Sequence, residues 1–174
     1  MAECKIETRK KFVNMELKRE EILIFFIEKQ RYALRIDDID RIIRAVSVTK
    51  LTDAPDYVSG VIDYHGEIVA VVSLRRKMGY PAADLKLSDR FILVKTGHGK
   101  LALVVDDIEK IVLPGADDVY DAKEPDAGGM PFIRVIRADD GIILIYDLER
   151  LLNEINETEL QRIIADTFSS GEAI

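Results

Sequence analysis

Residues 33–43 read Ala-Leu-Arg-Ile-Asp-Asp-Ile-Asp-Arg-Ile-Ile, and the chain returns to this pattern at residues 102–112, which read Ala-Leu-Val-Val-Asp-Asp-Ile-Glu-Lys-Ile-Val. Six of the eleven positions are identical, and the second copy begins 69 residues after the first. A self-similar pattern at a fixed separation indicates that one structural unit has been used twice. The chain is therefore predicted to consist of two related halves.

The two copies lie in similar surroundings. An apolar run precedes each copy, at residues 22–27 and 91–94, and a short polar segment typical of a turn separates each run from its motif. A weaker similarity follows at residues 60–72 and 135–146, where two apolar stretches flank a turn that contains glycine. Each half therefore reads as about five short strands, rich in β-branched residues and joined by turns.

Many short strands without long helices predict an all-β fold of two small five-stranded barrels, rather than a fold of alternating strands and helices. A unit of about 75 residues barely supports an independent hydrophobic core. The two barrels are therefore expected to bury a shared interface against each other.

Helices are expected at two points. Ser73 and Asp147 follow the last strand of each half and are predicted N-caps, because their side chains can accept an amide hydrogen at a helix start. Helical spacing of apolar residues begins after residue 147, with Leu148, Leu151, Leu152 and Ile155, then Leu160, Ile163, Ile164 and Phe168. Asn156 and Glu159 are a weak signature of a second helix start. This last helix is expected to pack on the barrels, or else to bind a partner or a second copy.

The composition limits the function. The chain has 174 residues, 48% hydrophobic and 33% charged, which is typical of a globular domain. The net charge of −7 argues against nucleic acid or an anionic membrane as the main partner, because both require clustered Lys and Arg. One cysteine, Cys4, and two histidines supply neither an intrachain disulfide nor a structural zinc site. No apolar stretch reaches the roughly 20 residues that span a membrane, so direct membrane insertion is not expected.

Residues 1–20 are interpreted as a charged N-terminal arm. They contain many charged side chains and lack the apolar segment of a signal peptide. The arm is expected to be solvated, and docking to a partner is the alternative.

Residues that could perform chemistry are few. Two acidic pairs occur in the repeats, Asp37 with Asp38 and Asp106 with Asp107. Each pair ends a strand and opens a bend, where aspartate accepts hydrogen bonds from exposed amides, so capping is favoured over metal binding or acid–base catalysis. His65 and His98 lie beside turn glycines, are expected to be exposed, and belong to no nucleophile or metal-ligand motif. We therefore predict no catalytic residue, metal or cofactor; an enzymatic or ligand-binding barrel would require a polar pocket.

The bends that follow the acidic pairs are apolar. They contain Ile39, Ile42 and Ile43 in the first half and Ile108, Ile111 and Val112 in the second. One interpretation is that all six belong to the core. The other is that one or two form an exposed apolar edge, typical of a protein interface, because a short bend cannot bury every face.

Several further stretches follow one another in a recognisable order. They are Glu-Ile-Leu-Ile-Phe-Phe at 21–26, Tyr-Ala-Leu-Arg-Ile at 32–36, Ala-Pro-Asp-Tyr-Val-Ser-Gly-Val-Ile at 54–62, Ser-Leu-Arg-Arg-Lys-Met-Gly at 73–79 and Leu-Ile-Tyr-Asp-Leu-Glu-Arg-Leu-Leu at 144–152. Together with the repeats, residues 21–155 resemble the CheW family of chemotaxis coupling proteins. The resemblance implies one CheW-like domain of two intertwined SH3-like barrels over 21–155, followed by a C-terminal helix and tail at 156–174.

The resemblance also implies a function. Members of the family are non-enzymatic, cytoplasmic signalling adaptors that couple chemoreceptors to the histidine kinase CheA. The groove between the barrels would hold the cytoplasmic tip of the receptor, and the matching positions here are Ile39, Gly60, His65, Ile108 and Ile111. The regulatory domain of the kinase would contact Asp38, Arg41 and Ile42.

Three positions depart from the family pattern. The family's Asn-Leu-Arg-Gly turn is here Asp-Tyr-His-Gly at 63–66, so that His65 replaces a functionally important arginine. A family glutamate in the first bend is here Arg41, which reverses the charge. Ser73 replaces an aspartate but can still cap a helix. A second hypothesis therefore stays open, in which the chain is a divergent CheW-like interaction module of another assembly and does not bind chemoreceptors.

Overall fold

The computed structural model describes residues 20–115, 117–121 and 132–169. Within them the strands are β1 Ile22–Ile27, β2 Gln30–Arg35, β3 Ile39–Arg44, β4 Val58–Tyr64, β5 Glu67–Ser73, β6 Arg90–Thr96, β7 Gly99–Val105, β8 Asp107–Val112, β9 Val119–Asp121, β10 Phe132–Ala138 and β11 Gly141–Tyr146. The helices are α1 Leu74–Lys77, α2 Leu148–Glu154 and α3 Glu157–Ser169, and a 3-10 turn, Ile36–Asp38, joins β2 to β3. Residues 1–19 of the charged arm and the tail after Ser169 lie outside the described residues, so the roles of the arm and the tail stay predictions.

The strands form two sheets that exchange strands between the two halves of the chain. The order of the first sheet is β8-β1-β2-β11-β10-β9 and that of the second is β3-β6-β7-β5-β4. The exchange is reciprocal. Two equivalent antiparallel pairs join the halves, β1 with β8 and β6 with β3. Two equivalent parallel pairs also join them, β2 with β11 and β7 with β5. The prediction of two intertwined barrels is confirmed. Within the described residues the first barrel has six strands rather than five, because the short strand β9 extends it.

Alternation along the strands explains why the barrels stay together. On β1, Ile22 and Ile24 pack into a cluster that belongs to the first barrel alone, whereas Leu23 and Phe25 pack into a cluster that contains residues of both sheets. Because successive side chains of a strand point to opposite faces, one strand serves both clusters. We call the shared cluster the central core; its most deeply buried members include Leu23, Phe25, Tyr32, Leu34, Leu74, Ile92 and Leu103. Each such side chain contributes about 1.5–3 kcal/mol on burial, so the predicted shared interface is confirmed as a major source of stability.

The helix starts agree with the sequence. The Ser73 Oγ accepts a hydrogen bond from the amide of Arg76 at 3.4 Å, and the Asp147 carboxylate accepts one from the amide of Arg150 at 3.3 Å. Asn156 likewise accepts from the amide of Glu159 at 3.1 Å. All three predicted caps are therefore confirmed.

The last helix packs on the barrels. Leu160 and Ile164 of α3 are buried in the central core, and Phe168 packs against it. This outcome confirms the packing interpretation for the apolar stripe. Binding of a partner by the remaining surface of α3 stays a prediction.

An ion-pair cluster joins strands β2 and β8 of the first barrel to the turn between β10 and β11. Arg31 on β2 donates to Glu109 on β8 at 2.8 Å and to Asp140 in the β10–β11 turn at 2.6 Å. The guanidinium also lies over the ring of Phe26, 5.7 Å from its centroid. The hydrogen bond from Arg31 lowers the pKa of Asp140 below its ordinary value. This pairing therefore weakens as acid protonates Asp140.

Two buried phenols predict a loss of stability at alkaline pH. Burial raises the pKa of both Tyr32 and Tyr146 above the ordinary value of 10.0. The unfolded chain ionises first, so their contribution is complete below about pH 10 and is lost as the pH rises further. Tyr146→Phe should therefore reduce the fall in the free energy of unfolding between about pH 9 and 11, measured by urea denaturation. Tyr120→Phe is the control because that ring is exposed; equal slopes for wild type and both variants would contradict the prediction.

Candidate interaction site

The two apolar bends become the edge strands of the two sheets. β3 ends the second sheet and β8 ends the first, and both strands come from the same position in the repeat. Ile39 and Ile108, also at equivalent positions, are half-buried and pack against the central core from these two edges. One predicted groove residue from each half, Ile39 and Ile108, therefore contacts the same central core.

Exposure separates the six bend residues. Ile39, Ile42, Ile43, Ile108 and Val112 are half-buried, whereas Ile111 is 51% exposed. The interpretation that all six belong to the core is therefore wrong, and the exposed apolar edge is confirmed at Ile111. An edge strand that also presents an apolar side chain combines unpaired backbone groups with apolar surface, which favours contact with another protein.

Gly60 lies where two backbone segments pass very close to each other. Its φ is +142°, and a Cβ at this position would lie 2.1 Å from the carbonyl oxygen of Thr49 and 2.7 Å from Cγ1 of Val48. Thr49 and Val61 exchange backbone hydrogen bonds of 2.9 and 2.8 Å directly beside it. Glycine is therefore required here by space and by conformation, a role that the sequence did not reveal.

His65 lies at the tip of the β4–β5 hairpin. It is exposed, adopts a positive φ of 54°, and its ring contacts Tyr64 edge-on with 4.5 Å between centroids. His98 is also exposed and lies 3.3 Å from Glu157. The predicted exposure of both histidines is confirmed, and His65 is positioned as a polar group at the hairpin tip.

Lys100 forms the second barrel's counterpart of the Arg31 cluster. Its ammonium lies 3.3 Å from Glu67, beside the hairpin tip, and 3.7 Å from Asp40 on β3. The hydrogen bond with Glu67 raises the pKa of Lys100. Lys100 and Arg31 are 69 residues apart, as are Asp40 and Glu109, so each edge strand is tied to its barrel by an ion pair at the same repeat position.

The three predicted kinase contacts differ in availability. The Asp38 carboxylate already accepts two hydrogen bonds from Arg35, at 2.9 and 3.0 Å. This interaction raises the pKa of Arg35. Ile42 is half-buried against the central core, whereas Arg41 is exposed on β3. Arg41 is therefore the most accessible of the three.

The second acidic pair caps backbone amides as predicted. Asp106 accepts from the amide of Glu28 at 2.6 Å and from Arg75 at 2.7 Å, and Asp107 accepts from the amide of Ile108 at 2.8 Å. In the first pair, Asp38 binds Arg35 instead. No cluster of His, Cys, Asp and Glu within the described ranges has the arrangement of a metal site. None of the described helices combines the length and apolar character needed to cross a membrane.

The model of the CheW-like domain family matches residues 21–156. The chain belongs to this family. The chemotaxis protein CheW of Treponema pallidum is 22% identical to this CheW-like chain over 149 residues, covering 82% of this chain and 86% of that protein. The chemotaxis protein CheW of Thermotoga maritima is 24% identical over 143 residues, covering 82% and 94%. The crystal structure of the scaffolding protein TtCheW from Thermoanaerobacter tengcongensis matches with a TM-score of 0.67 at 23% identity, covering 74% of this chain and 89% of that one, so the fold is shared.

Proposed function

We propose that this CheW-like protein is a non-enzymatic, cytoplasmic adaptor that couples chemoreceptors to the histidine kinase CheA. The observation that carries the proposal is the pair of equivalent edge strands, whose isoleucines converge on the central core and leave Ile111 exposed. Family membership supports it, since relatives across most of the chain are named chemotaxis protein CheW. The engaged carboxylates of Asp38, Asp106 and Asp107 also support an adaptor, because they take part in structural hydrogen bonds.

The receptor tip would bind where the two edge strands pack against the central core. Ile39 and Ile108 would form its apolar base, and Ile111 would supply contact area that is already exposed in the free protein. His65 would contribute a polar contact from the hairpin tip. Gly60 would act by holding the backbone of β4 in place, because a side chain there has no room.

The regulatory domain of CheA would contact β3 and the turn before it. Arg41 would form the charged contact and Ile42 would add apolar area beside it. Asp38 would act by fixing the turn through Arg35, since its carboxylate is already engaged. The two surfaces therefore meet at β3.

Charge reversal at Arg41 tests the kinase contact. The wild-type protein should bind the isolated CheA regulatory domain with a Kd of about 10 μM or tighter, measured by isothermal titration calorimetry. Arg41→Glu should weaken this binding about tenfold or more, because it opposes the charge that the partner surface would complement. Arg44→Glu reverses another exposed charge on the same strand and should change the Kd less than threefold. Failure of the wild-type protein to bind at about 100 μM would remove the proposed function.

A second candidate function is a divergent interaction module in another assembly. The observation that favours it is His65 at the hairpin tip, where the family has an arginine, together with the reversed charge at Arg41. Binding of the CheA domain without binding of a receptor-tip fragment would favour this alternative. Restoration of receptor binding by His65→Arg would identify the hairpin tip as the cause.

A further inference from the structure

A cleft of about 510 Å³ lies at the end of the second barrel. It is bounded by the loop between β3 and β4, by α1, and by the loop that leads into β6. Its lining contains none of the eight residues proposed above for receptor or kinase contact. The cleft therefore offers a separate surface, whose function does not depend on those contacts.

The free charge in this cleft is positive. Its ionisable lining residues are Lys50, Arg75, Arg76, Lys86, Asp84, Asp89 and Asp106. Arg75 and Asp106 neutralise each other at 2.7 Å, and the buried Asp89 accepts a hydrogen bond from the backbone amide of Lys86 at 2.8 Å. Because a bond from a neutral amide leaves the charge of Asp89 in place, three cations, Lys50, Arg76 and Lys86, face two carboxylates, Asp84 and Asp89. The lining therefore keeps a small positive charge on a protein whose net charge is −7.

The two lysines of the cleft are available to a ligand. Neither Lys50 nor Lys86 takes part in an ion pair within the described ranges, and Arg76 donates to the carbonyl of Asp56 at 2.7 Å. The hydroxyls of Ser47 and Ser59 add further donors to the lining. A carboxylate that entered the cleft would form charge-assisted hydrogen bonds, which are about twice as strong as neutral ones.

Apolar side chains flank these cations. Leu85 lines the cleft and Leu87 is 85% exposed, on either side of Lys86 in the chain. Leu51, which packs against the central core, also lines the cleft. Exposed leucines next to uncommitted cations favour a ligand that carries both acidic and apolar side chains.

We propose that this cleft binds an acidic peptide segment of a partner protein, in which Asp or Glu alternates with leucine-like side chains. An extended segment of this kind presents its acidic side chains on one face and its apolar side chains on the other. The acidic face would contact Lys50 and Lys86, and the apolar face would contact Leu85. A phosphoryl group fits less well, because Asp84 and Asp89 in the lining repel a dianion more strongly than a single carboxylate. A nucleic acid would need a longer stripe of cations than these three side chains provide.

The test is a titration of the full chain with a fluorescein-labelled peptide of about ten alternating Glu and Leu residues at low salt. We expect a Kd of about 100 μM or tighter. The double variant Lys50→Gln/Lys86→Gln should bind the peptide at least about tenfold more weakly than the wild type. The control is Lys29→Gln/Lys95→Gln, which makes the same change of charge on exposed lysines elsewhere; its Kd should stay within about twofold of the wild-type value. Leu85→Ser should weaken binding about fivefold, because Leu85 lines the cleft.

Three results would overturn the proposal. One is the absence of wild-type binding up to about 1 mM peptide. Another is equal affinity for a peptide with Gln in place of Glu, since that result would remove the role of the lysines. The third is an amide chemical-shift change at Ile108 and Ile111 rather than at Ser47, Lys50 and Lys86, which would place the peptide in the groove instead.

Discussion

Replacing Gly60 with alanine should lower the free energy of unfolding by about 3 kcal/mol or more. The added Cβ would lie 2.1 Å from the Thr49 carbonyl oxygen, and the φ of +142° is strained for any residue with a side chain. The obstructing atom is backbone, held by the two hydrogen bonds between Thr49 and Val61, so it cannot move without breaking them. Urea denaturation followed by circular dichroism should show a lower midpoint with an unchanged slope.

Gly66→Ala is the matched control for this prediction. Gly66 also has a positive φ, +86°, but no atom lies within 4 Å of the Cβ that alanine would add. Its cost is therefore conformational alone, about 1 kcal/mol. If the two variants lost equal stability, the steric explanation for Gly60 would be wrong. Because a Gly60 variant is expected to be partly unfolded, its measured receptor affinity must be corrected for the unfolded fraction before it is compared with that of the wild type.

The sequence predicted the two barrels because a repeat defines which elements exist and in which order. It did not by itself predict that β3 pairs with β6 and β8 with β1, since pairing within one half would satisfy the same local pattern of apolar residues. The exchange was expected from the family resemblance alone. Physically, the bend at Ile36–Asp38 directs β3 away from β2, and burial in the central core stabilises the exchanged arrangement.

The repeat also contained a signal for the ion-pair clusters that sequence reasoning did not use. Arg31 aligns with Lys100 and Glu109 aligns with Asp40, so each half supplies one cation and one anion to the exchanged pairing. Complementary charges that recur at the same offset predict contact between the strands that carry them. The signal does not decide which half supplies the partner, because Arg31 with Asp40 and Lys100 with Glu109 would be equally complementary within one half.

Exposure within the site could not be predicted from the repeat. Ile42 and Ile111 are equivalent in sequence, yet Ile42 is half-buried and Ile111 is exposed. The positions that follow do not account for the difference, since Arg44 and Leu113 are both exposed and Ala45 and Pro114 are both buried. The cleft could not be predicted from the sequence either, because Lys50 and Lys86 are distant in the chain and line the same cleft only in the folded protein.

Ile111→Asp should abolish most of the binding of a receptor-tip fragment while leaving the protein folded. The side chain is 51% exposed, so a carboxylate there remains solvated in the free protein and should change the free energy of unfolding by less than about 1 kcal/mol. In the complex it would be buried against apolar surface, which should raise the Kd about tenfold or more, measured by isothermal titration calorimetry. Ile108→Asp should instead lower stability by about 3 kcal/mol, because Ile108 packs against the central core.

Ile142→Asp is the matched control for Ile111→Asp. Ile142 is 56% exposed, at the start of β11 in the same sheet, and lies outside the proposed receptor surface. The two substitutions are chemically identical at similar exposure, so a general effect of added negative charge would weaken binding equally in both. A Kd within twofold of wild type for Ile111→Asp would show that the receptor does not use the β8 edge. Selective loss at Ile111 would instead assign docking to β8, because only the position of the added charge differs between the two variants.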